Sequence, residues 1–334
     1  MKATVTTHDR RVEIREVDRP TPGAGQLVLK VEASGICGTD LHLLEALGAG
    51  VTLGHEFTGS VSARGDGVEG FEVGDRVVAL PAISCKTCVA CLSGDPINCP
   101  SARYIGGTAD GAFAEYILVD AQASLRVPDE VSTDAAGIVE PLAVTLKIFE
   151  KAAARPGDRL LVLGAGPVGL GVTLWARASG VASIIVSDPV ASRRDLASQL
   201  GATAVVDPTT ADLTEFCDDR LGAAPEIVVE CVGRPGLFEQ ATRVVAPEGR
   251  IVVAGMHLGQ EGFKQQTPFL KNLTVVFSSW YAVRHFRHAV DMLAAQRIDP
   301  MAMITHRIGL EDLDRTLEAL RTPNEYGKVL VHAS

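Results

Sequence analysis

Cys85, Cys88, Cys91 and Cys99 follow one another as Cys-x2-Cys-x2-Cys-x7-Cys. Zinc takes four thiolates tetrahedrally, and spacing this tight lets one loop wrap an ion. The pattern does not match the common cysteine runs of iron–sulfur clusters. With all four positions filled by protein, the expectation is a structural zinc in a lobe at about 85–99. A second set is dispersed. Gly35-Ile36-Cys37-Gly38-Thr39-Asp40-Leu41-His42 and Gly54-His55-Glu56 each offer ligands in a glycine-framed turn, and Val139-Glu140-Pro141-Leu142 offers another carboxylate. A thiolate, an imidazole and a carboxylate leave a position for water or substrate, as a catalytic zinc requires. Each piece alone is weak, and Gly-His-Glu by itself carries almost no information.

A third constellation is glycine-rich. Leu160-Leu161-Val162-Leu163-Gly164-Ala165-Gly166-Pro167-Val168-Gly169 reads as a strand entering G-x-G-x-x-G and then a helix. The first glycine makes the tight turn and the second lets a pyrophosphate approach the backbone. The third allows close helix–strand packing, and the helix N-terminus supplies positive potential. Ser187-Asp188 ends the next apolar strand, nineteen residues beyond Gly169, where a carboxylate meets adenosine ribose hydroxyls. A carboxylate accepts from the 2′-hydroxyl of NAD and repels the 2′-phosphate of NADP, so NAD is favoured. Arg193 and Arg194 keep NADP open, because a guanidinium pair can hold a phosphate. Their other reading is a solvated helix face with one arginine over the adenine.

The elements that position these residues change character along the chain. Up to about residue 120, short alternating runs broken by Gly, Pro and Asp read as β structure, with strands at Gln26–Ala33 and Asp75–Leu80. From about residue 143, apolar strands at Leu160–Leu163, Ser183–Ser187, Ala204–Val206, Ile227–Glu230, Ile251–Val253 and Leu273–Phe277 alternate with helical segments such as Ala191–Leu200 and Leu237–Val245. Six such strands make a doubly wound parallel sheet. The tail returns to helix and strand outside that series. The expected fold is therefore α/β, with a β-rich domain at 1–142, a nucleotide domain at 143–281, and a return to the first domain at 282–334.

Bulk properties exclude other classes. A chain of 334 residues suits two domains, and 46% hydrophobic with 22% charged residues is globular. A formal charge of −10 argues against nucleic acid, which needs clustered Lys and Arg. No basic amphipathic run points to a membrane surface. The apolar stretch Leu160 to Ala176 is broken by glycines and Pro167, and falls short of the roughly 20 residues that a span needs. The N-terminus reads as a strand without an export signal, so a reducing cytoplasm is expected and the seven cysteines read as thiols or ligands.

Taken in order, Cys37-Gly38-Thr39-Asp40-x-His42, Gly54-His55-Glu56, Gly74-Asp75-Arg76-Val77, the four-cysteine lobe, the glycine loop and Gly327-Lys328-Val329-Leu330 resemble the zinc-containing medium-chain dehydrogenase/reductase family along essentially the whole chain. The resemblance implies a GroES-like β domain plus a Rossmann domain, and hydride transfer between an alcohol and a nicotinamide. It implies Cys37 and His55 as catalytic zinc ligands. Glu140 stands where many alcohol dehydrogenases carry a second cysteine, which resembles the polyol and threonine dehydrogenase branch. There Glu56 exchanges with Glu140 or with water as ligand, and Glu140 is expected at rest. The resemblance further implies a proton route from Thr39 through the cofactor ribose to His42, whose unperturbed pKa near 6.5 suits delivery to solvent.

Further cofactor contacts are expected from Cys231-Val232-Gly233, Ala254-Gly255 and Ser278-Ser279 at strand ends, from Arg193, and from Lys328 on the pyrophosphate. Tyr104, Phe113, Trp280 and Tyr281 are candidates for the substrate wall, as well as for core packing. The short apolar stretch Leu43–Leu53 lacks the usual proline-marked loop, so substrate identity does not transfer. The branch is usually tetrameric and its relatives dimeric, with pairing expected through the last sheet strand. A reductase running the reverse reaction with NADPH is the alternative enzyme. A nucleotide sensor without chemistry is disfavoured by intact Cys37, Thr39 and His55.

Overall fold

The computed structural model describes residues 1–257, 259–322 and 324–333. Its chain divides into two units. One is formed by Met1–Ala143, Tyr281–Gln296 and the residues from Ile304 onward; the other by Val144–Trp280 and Arg297–Met303.

In the first unit the strand Gln26–Gly35 is central. It pairs antiparallel with Glu56–Arg64, Tyr116–Asp120 and Lys328–His332 in a seven-stranded sheet. Leu27, Leu29 and Val31 alternate into a core shared with Phe57, Val61, Val77 and Ile117, because successive side chains on a strand point to opposite faces. Val31 faces Gly59 across the register, and a Cβ there would lie 2.2 Å from the Lys30 carbonyl oxygen. Only glycine lets these strands approach. The apolar stretch between the two ligand-bearing turns is core: Leu44 and Leu53 are buried with Ile36, Phe113, Leu313 and Val331. Lys328–His332 also runs parallel to Ile304–Gly309, so the end of the chain completes the sheet that its beginning starts.

The second unit is a six-stranded parallel sheet. Its order is Ala204–Val206, Ser183–Ser187, Arg159–Leu163, Ile227–Glu230, Arg250–Val253, Thr274–Phe277, that is third, second, first, fourth, fifth, sixth. This is the expected doubly wound arrangement. Leu160, Leu161 and Val162 are fully buried, as a central parallel strand covered on both faces must be. The apolar stretch Leu160 to Ala176 divides between the strand Arg159–Leu163 and the helix Pro167–Ala178. Among the described residues no helix is long and apolar enough to cross a membrane.

Candidate active site and cofactor loop

Cys37 is the N-cap of the helix Gly38–Ala46. Its sulfur accepts the Thr39 N–H at 3.5 Å, while Asp40 Oδ2 reaches back to the Cys37 N–H at 2.8 Å. That reciprocal capping aims the thiol at the helix N-terminus, where backbone N–H groups favour negative charge. Asp40 is fully buried and does more than cap. Its Oδ1 also accepts from the Gly54 N–H at 3.3 Å and lies 3.2 Å from His55 Nδ1, joining the two turns. A carboxylate at Nδ1 holds the imidazole proton there and leaves Nε2 with the free lone pair that a metal needs. Burial pushes the His55 pKa down, but the charges of Asp40 and Cys37, with their hydrogen bonds, outweigh it and raise it well above 6.5. Asp40 had no assigned role in the sequence; its signal was the acidic residue three positions after a helix cap.

One ligand atom from each of Cys37, His55 and Glu56 lies within 4.8 Å of the others. Glu56 is buried, and Lys328 Nζ donates to both of its oxygens at 2.7 Å and to the Ile36 carbonyl at 2.9 Å. This corrects the expectation that Lys328 reaches a pyrophosphate. The strand carrying it pairs with Gly35, and its ammonium is committed inside the sheet at 1% exposure. Glu140 stands beside the trio, buried in the first turn of the helix Val139–Ala152. Burial, reinforced by Glu56, pushes its pKa up to about 7, against the pull of His55, the Tyr281 hydroxyl and Lys328. The Tyr281 hydroxyl, itself buried, faces Glu140 from beyond ordinary hydrogen-bond length.

Thr39 and His42 are both exposed on the helix Gly38–Ala46, three positions apart and therefore on one face. Of the candidate wall residues, Phe113 is core under Gly54, whose added Cβ would lie 2.9 Å from its ring. Tyr104 donates its hydroxyl to the Ile97 carbonyl at 2.9 Å, and Trp280 is exposed.

The four-cysteine set also comes together. All four sulfurs lie within 4.8 Å of one another, with Cys88–Cys91 at 3.5 Å and Cys85–Cys91 at 3.9 Å. Four sulfurs about 2.3 Å from a central zinc form a tetrahedron with edges of about 3.8 Å, so the arrangement fits the ion and leaves no open position. Lys86 ties the loop to the sheet through Asp120 at 3.1 Å.

In the second unit Gly164 takes φ +96°, closed to most other residues, and a Cβ on Gly169 would lie 1.8 Å from the Gly164 carbonyl oxygen. A Cβ on Gly166 would meet nothing within 4 Å, which leaves the backbone approachable before Pro167 and Val168 begin the helix. Asp188 is 4% exposed and accepts from the Ala165 N–H at 2.8 Å and the Val190 N–H at 2.9 Å. It therefore also braces the glycine loop. Arg194 donates to the Asp188 carbonyl at 2.7 Å and to Asp207 at 3.1 Å, which occupies one member of the arginine pair. At the ends of the last three strands, Glu230 gathers the Val232 and Gly233 N–H groups at 2.7 and 2.8 Å. Sequence reading gave Glu230 no role. A cavity of about 660 Å³ there is lined by Gly233, Ala254, Gly255, Ser278 and Ser279, and the buried Ser278 hydroxyl has no partner among the described residues. Cys231 is half-buried, and desolvation of its thiol, with Glu230 nearby, raises its pKa well above the ordinary value.

Comparison with known proteins agrees with this geometry. Residues 23–129 match the family model of the alcohol dehydrogenase GroES-like domain, and residues 167–295 match that of the zinc-binding dehydrogenases. The chain is 34% identical to the L-threonine 3-dehydrogenase of Pyrococcus abyssi, over 95% of this chain and 94% of that one. It is 30% identical to the sorbitol dehydrogenase of Bacillus subtilis, over 99% and 97%. Among solved structures, an Escherichia coli alcohol dehydrogenase (RspB) complexed with NADH superposes with a TM-score of 0.92 at 29% identity, covering 100% and 99% of the two chains. A putative zinc-binding dehydrogenase of Sinorhizobium meliloti bound to NADP gives 0.91 at 33% identity, with 99% coverage of each. The chain belongs to the zinc-containing medium-chain alcohol dehydrogenase family, in its threonine and polyol dehydrogenase branch, and is an oxidoreductase of CH–OH groups that uses a nicotinamide cofactor.

Proposed function

We propose that this protein is a zinc-dependent dehydrogenase that transfers hydride between NAD and a secondary alcohol, polyol or amino alcohol. The observation that carries this reading is the contrast between two metal-competent clusters: four closed thiols in one, and Cys37, His55 and Glu56 beside Glu140 in the other. Zinc in the second would stabilise negative charge on the substrate oxygen as a Lewis acid. The chain's own residues supply the rest. Asp40 orients His55, and Thr39 and His42 offer a hydroxyl and an imidazole on one exposed helix face for the departing proton.

Preference for NAD rests on Asp188 at the end of the second strand and on Arg194 being held by Asp207. The NADP bound to the Sinorhizobium relative keeps the phosphorylated cofactor as the competing reading. The substrate class rests on Glu140. One thiolate, one imidazole and a carboxylate are a harder set than two thiolates, suited to substrates that bind through two oxygens or an oxygen and an amine. Secondary alcohols, polyols and β-hydroxy amino acids, each offered with NAD and NADP, test both points at the reduced-nicotinamide absorbance. Equal efficiency on ethanol and on every bifunctional substrate would refute the class, and faster turnover with NADP would refute the cofactor.

A further inference from the structure

We propose that the Tyr281 hydroxyl is the group that reads the substrate's second polar function, the hydroxyl or amine on the carbon next to the one oxidised. The inference rests on the bifunctional substrate class proposed above and names the side chain that selects it.

Tyr281 is 1% exposed, and its hydroxyl has no hydrogen-bond partner among the described residues. A buried phenol ordinarily finds one, because stripping it of water without replacement is costly. The ring is not free to search. It lies parallel to the buried Phe286 ring, with 5° between the planes and 5.9 Å between centroids. Its backbone leads into the helix Val283–Ala294, whose first turn is closed by the Ala282 N–H on His285 Nδ1 at 2.9 Å. The hydroxyl is therefore a fixed donor and acceptor, and it stands near Glu140 and Glu56 at the border of the metal-competent cluster.

The neighbouring polar groups are already committed. Lys328 uses all three ammonium protons, two on the oxygens of Glu56 and one on the Ile36 carbonyl. Asp40 is shared among the Cys37 N–H, the Gly54 N–H and His55. What remains for Tyr281 is a group that enters with the substrate. A hydroxyl donates to an alcohol oxygen and accepts from an amine, so one side chain serves both diols and amino alcohols. A monofunctional alcohol sets a hydrogen or methyl against the phenol and leaves it unpaired, which is how a polar pocket rejects an analogue that lacks the group.

The experiment first reads stability, on zinc-loaded enzyme without cofactor. Tyr281→Phe keeps the ring and its stacking, and removes an oxygen that bonds nothing in the free protein. Its melting temperature should hold or rise, and a fall of several degrees would reveal a structural partner and overturn the proposal. Binding is then read without turnover. Calorimetric titration of the enzyme–NADH complex with butane-2,3-diol and with butan-2-ol gives two dissociation constants, since neither alcohol can pass hydride to a cofactor already reduced. Wild type should hold the diol about tenfold more tightly, and Tyr281→Phe should bring that ratio to within about threefold of unity. 1-Aminopropan-2-ol against propan-2-ol repeats the comparison for the amine. A wild type with no preference refutes the bifunctional substrate class, and this inference with it. A preference that survives Tyr281→Phe, including one kept while both alcohols bind equally more weakly, refutes the role of Tyr281 alone.

Discussion

Asp40→Asn isolates the residue that links the two ligand turns. Asp40 accepts from the Cys37 N–H, accepts from the Gly54 N–H and faces His55 Nδ1, at 2.8, 3.3 and 3.2 Å. An asparagine has one acceptor oxygen and one donor NH2 in the same space. If its oxygen takes the Oδ2 place and keeps the Cys37 N–H, its NH2 meets the Gly54 N–H and Nδ1 and drives the imidazole proton to Nε2, where it blocks the metal. If it turns over, the oxygen keeps Gly54 and Nδ1, but the NH2 meets the Cys37 N–H and the helix cap is lost. Hydrogen bonds to a charged group are worth about 1.5–3 kcal/mol each, and part of that is returned by removing a buried charge. The metal-free protein should therefore lose about 1–3 kcal/mol of stability. Loss of the partner that orients a ligating histidine typically lowers metal affinity 10–100-fold, or about 1.4–2.7 kcal/mol. Chelator titration of Asp40→Asn should show the labile zinc released at correspondingly lower chelator, with the four-cysteine ion unmoved. A wild-type midpoint for both ions would refute the idea that Asp40 fixes the tautomer of His55.

Cys88→Ser should open the closed sulfur tetrahedron, lower thermal stability and remove one zinc per subunit, because a structural ion contributes folding energy; calorimetry with metal analysis checks both, and an unchanged melting temperature would count against a structural lobe. Asp188→Ala should weaken NADH binding by about 1.5–3 kcal/mol and narrow the preference over NADPH, and it should also loosen the loop at Ala165; fluorescence titration with both cofactors reads this. In metal-free protein the raised pKa of Glu140, up to about 7 against 4.5, means the folded state favours the acid form. Stability from this group is complete below about pH 4.5 and is lost as pH rises through about 7, by at most about 3 kcal/mol; Glu140→Gln should flatten that part of the pH–stability curve. Phe277 is 75% exposed on the edge strand Thr274–Phe277, and Phe269 and Leu270 of the helix Gln266–Leu270 are exposed as well. Covered by a second copy, this edge makes an oligomer, and Phe277→Asp should shift its mass towards monomer in light scattering, a monomeric wild type being the refuting result.

The sequence by itself determined whatever depends on neighbours along the chain. Six short apolar runs separated by helical segments led to the parallel sheet because period and length are local properties, and Ser183–Ser187, Ala204–Val206 and Ile227–Glu230 have those bounds in the structure. The glycine loop was legible for the same reason: φ +96° at Gly164 and the contact of 1.8 Å that a Cβ on Gly169 would make are demands on single residues. The four cysteines were legible because fifteen residues span them all. What only the tertiary structure decided is which charged groups meet. Lys328 lies 272 positions from Glu56, and no local pattern foretells that pairing Lys328–His332 with Gly35 delivers an ammonium to that carboxylate. Asp40 stands beside known ligand candidates, yet its contact with Gly54 and His55 needs the two turns folded against each other. Glu140 was visible as a carboxylate, but its burial without a cation is a property of the surrounding fold. Sequence periodicity encodes backbone geometry, while long-range charge pairing depends on strand register between distant segments and emerges only when the sheet closes.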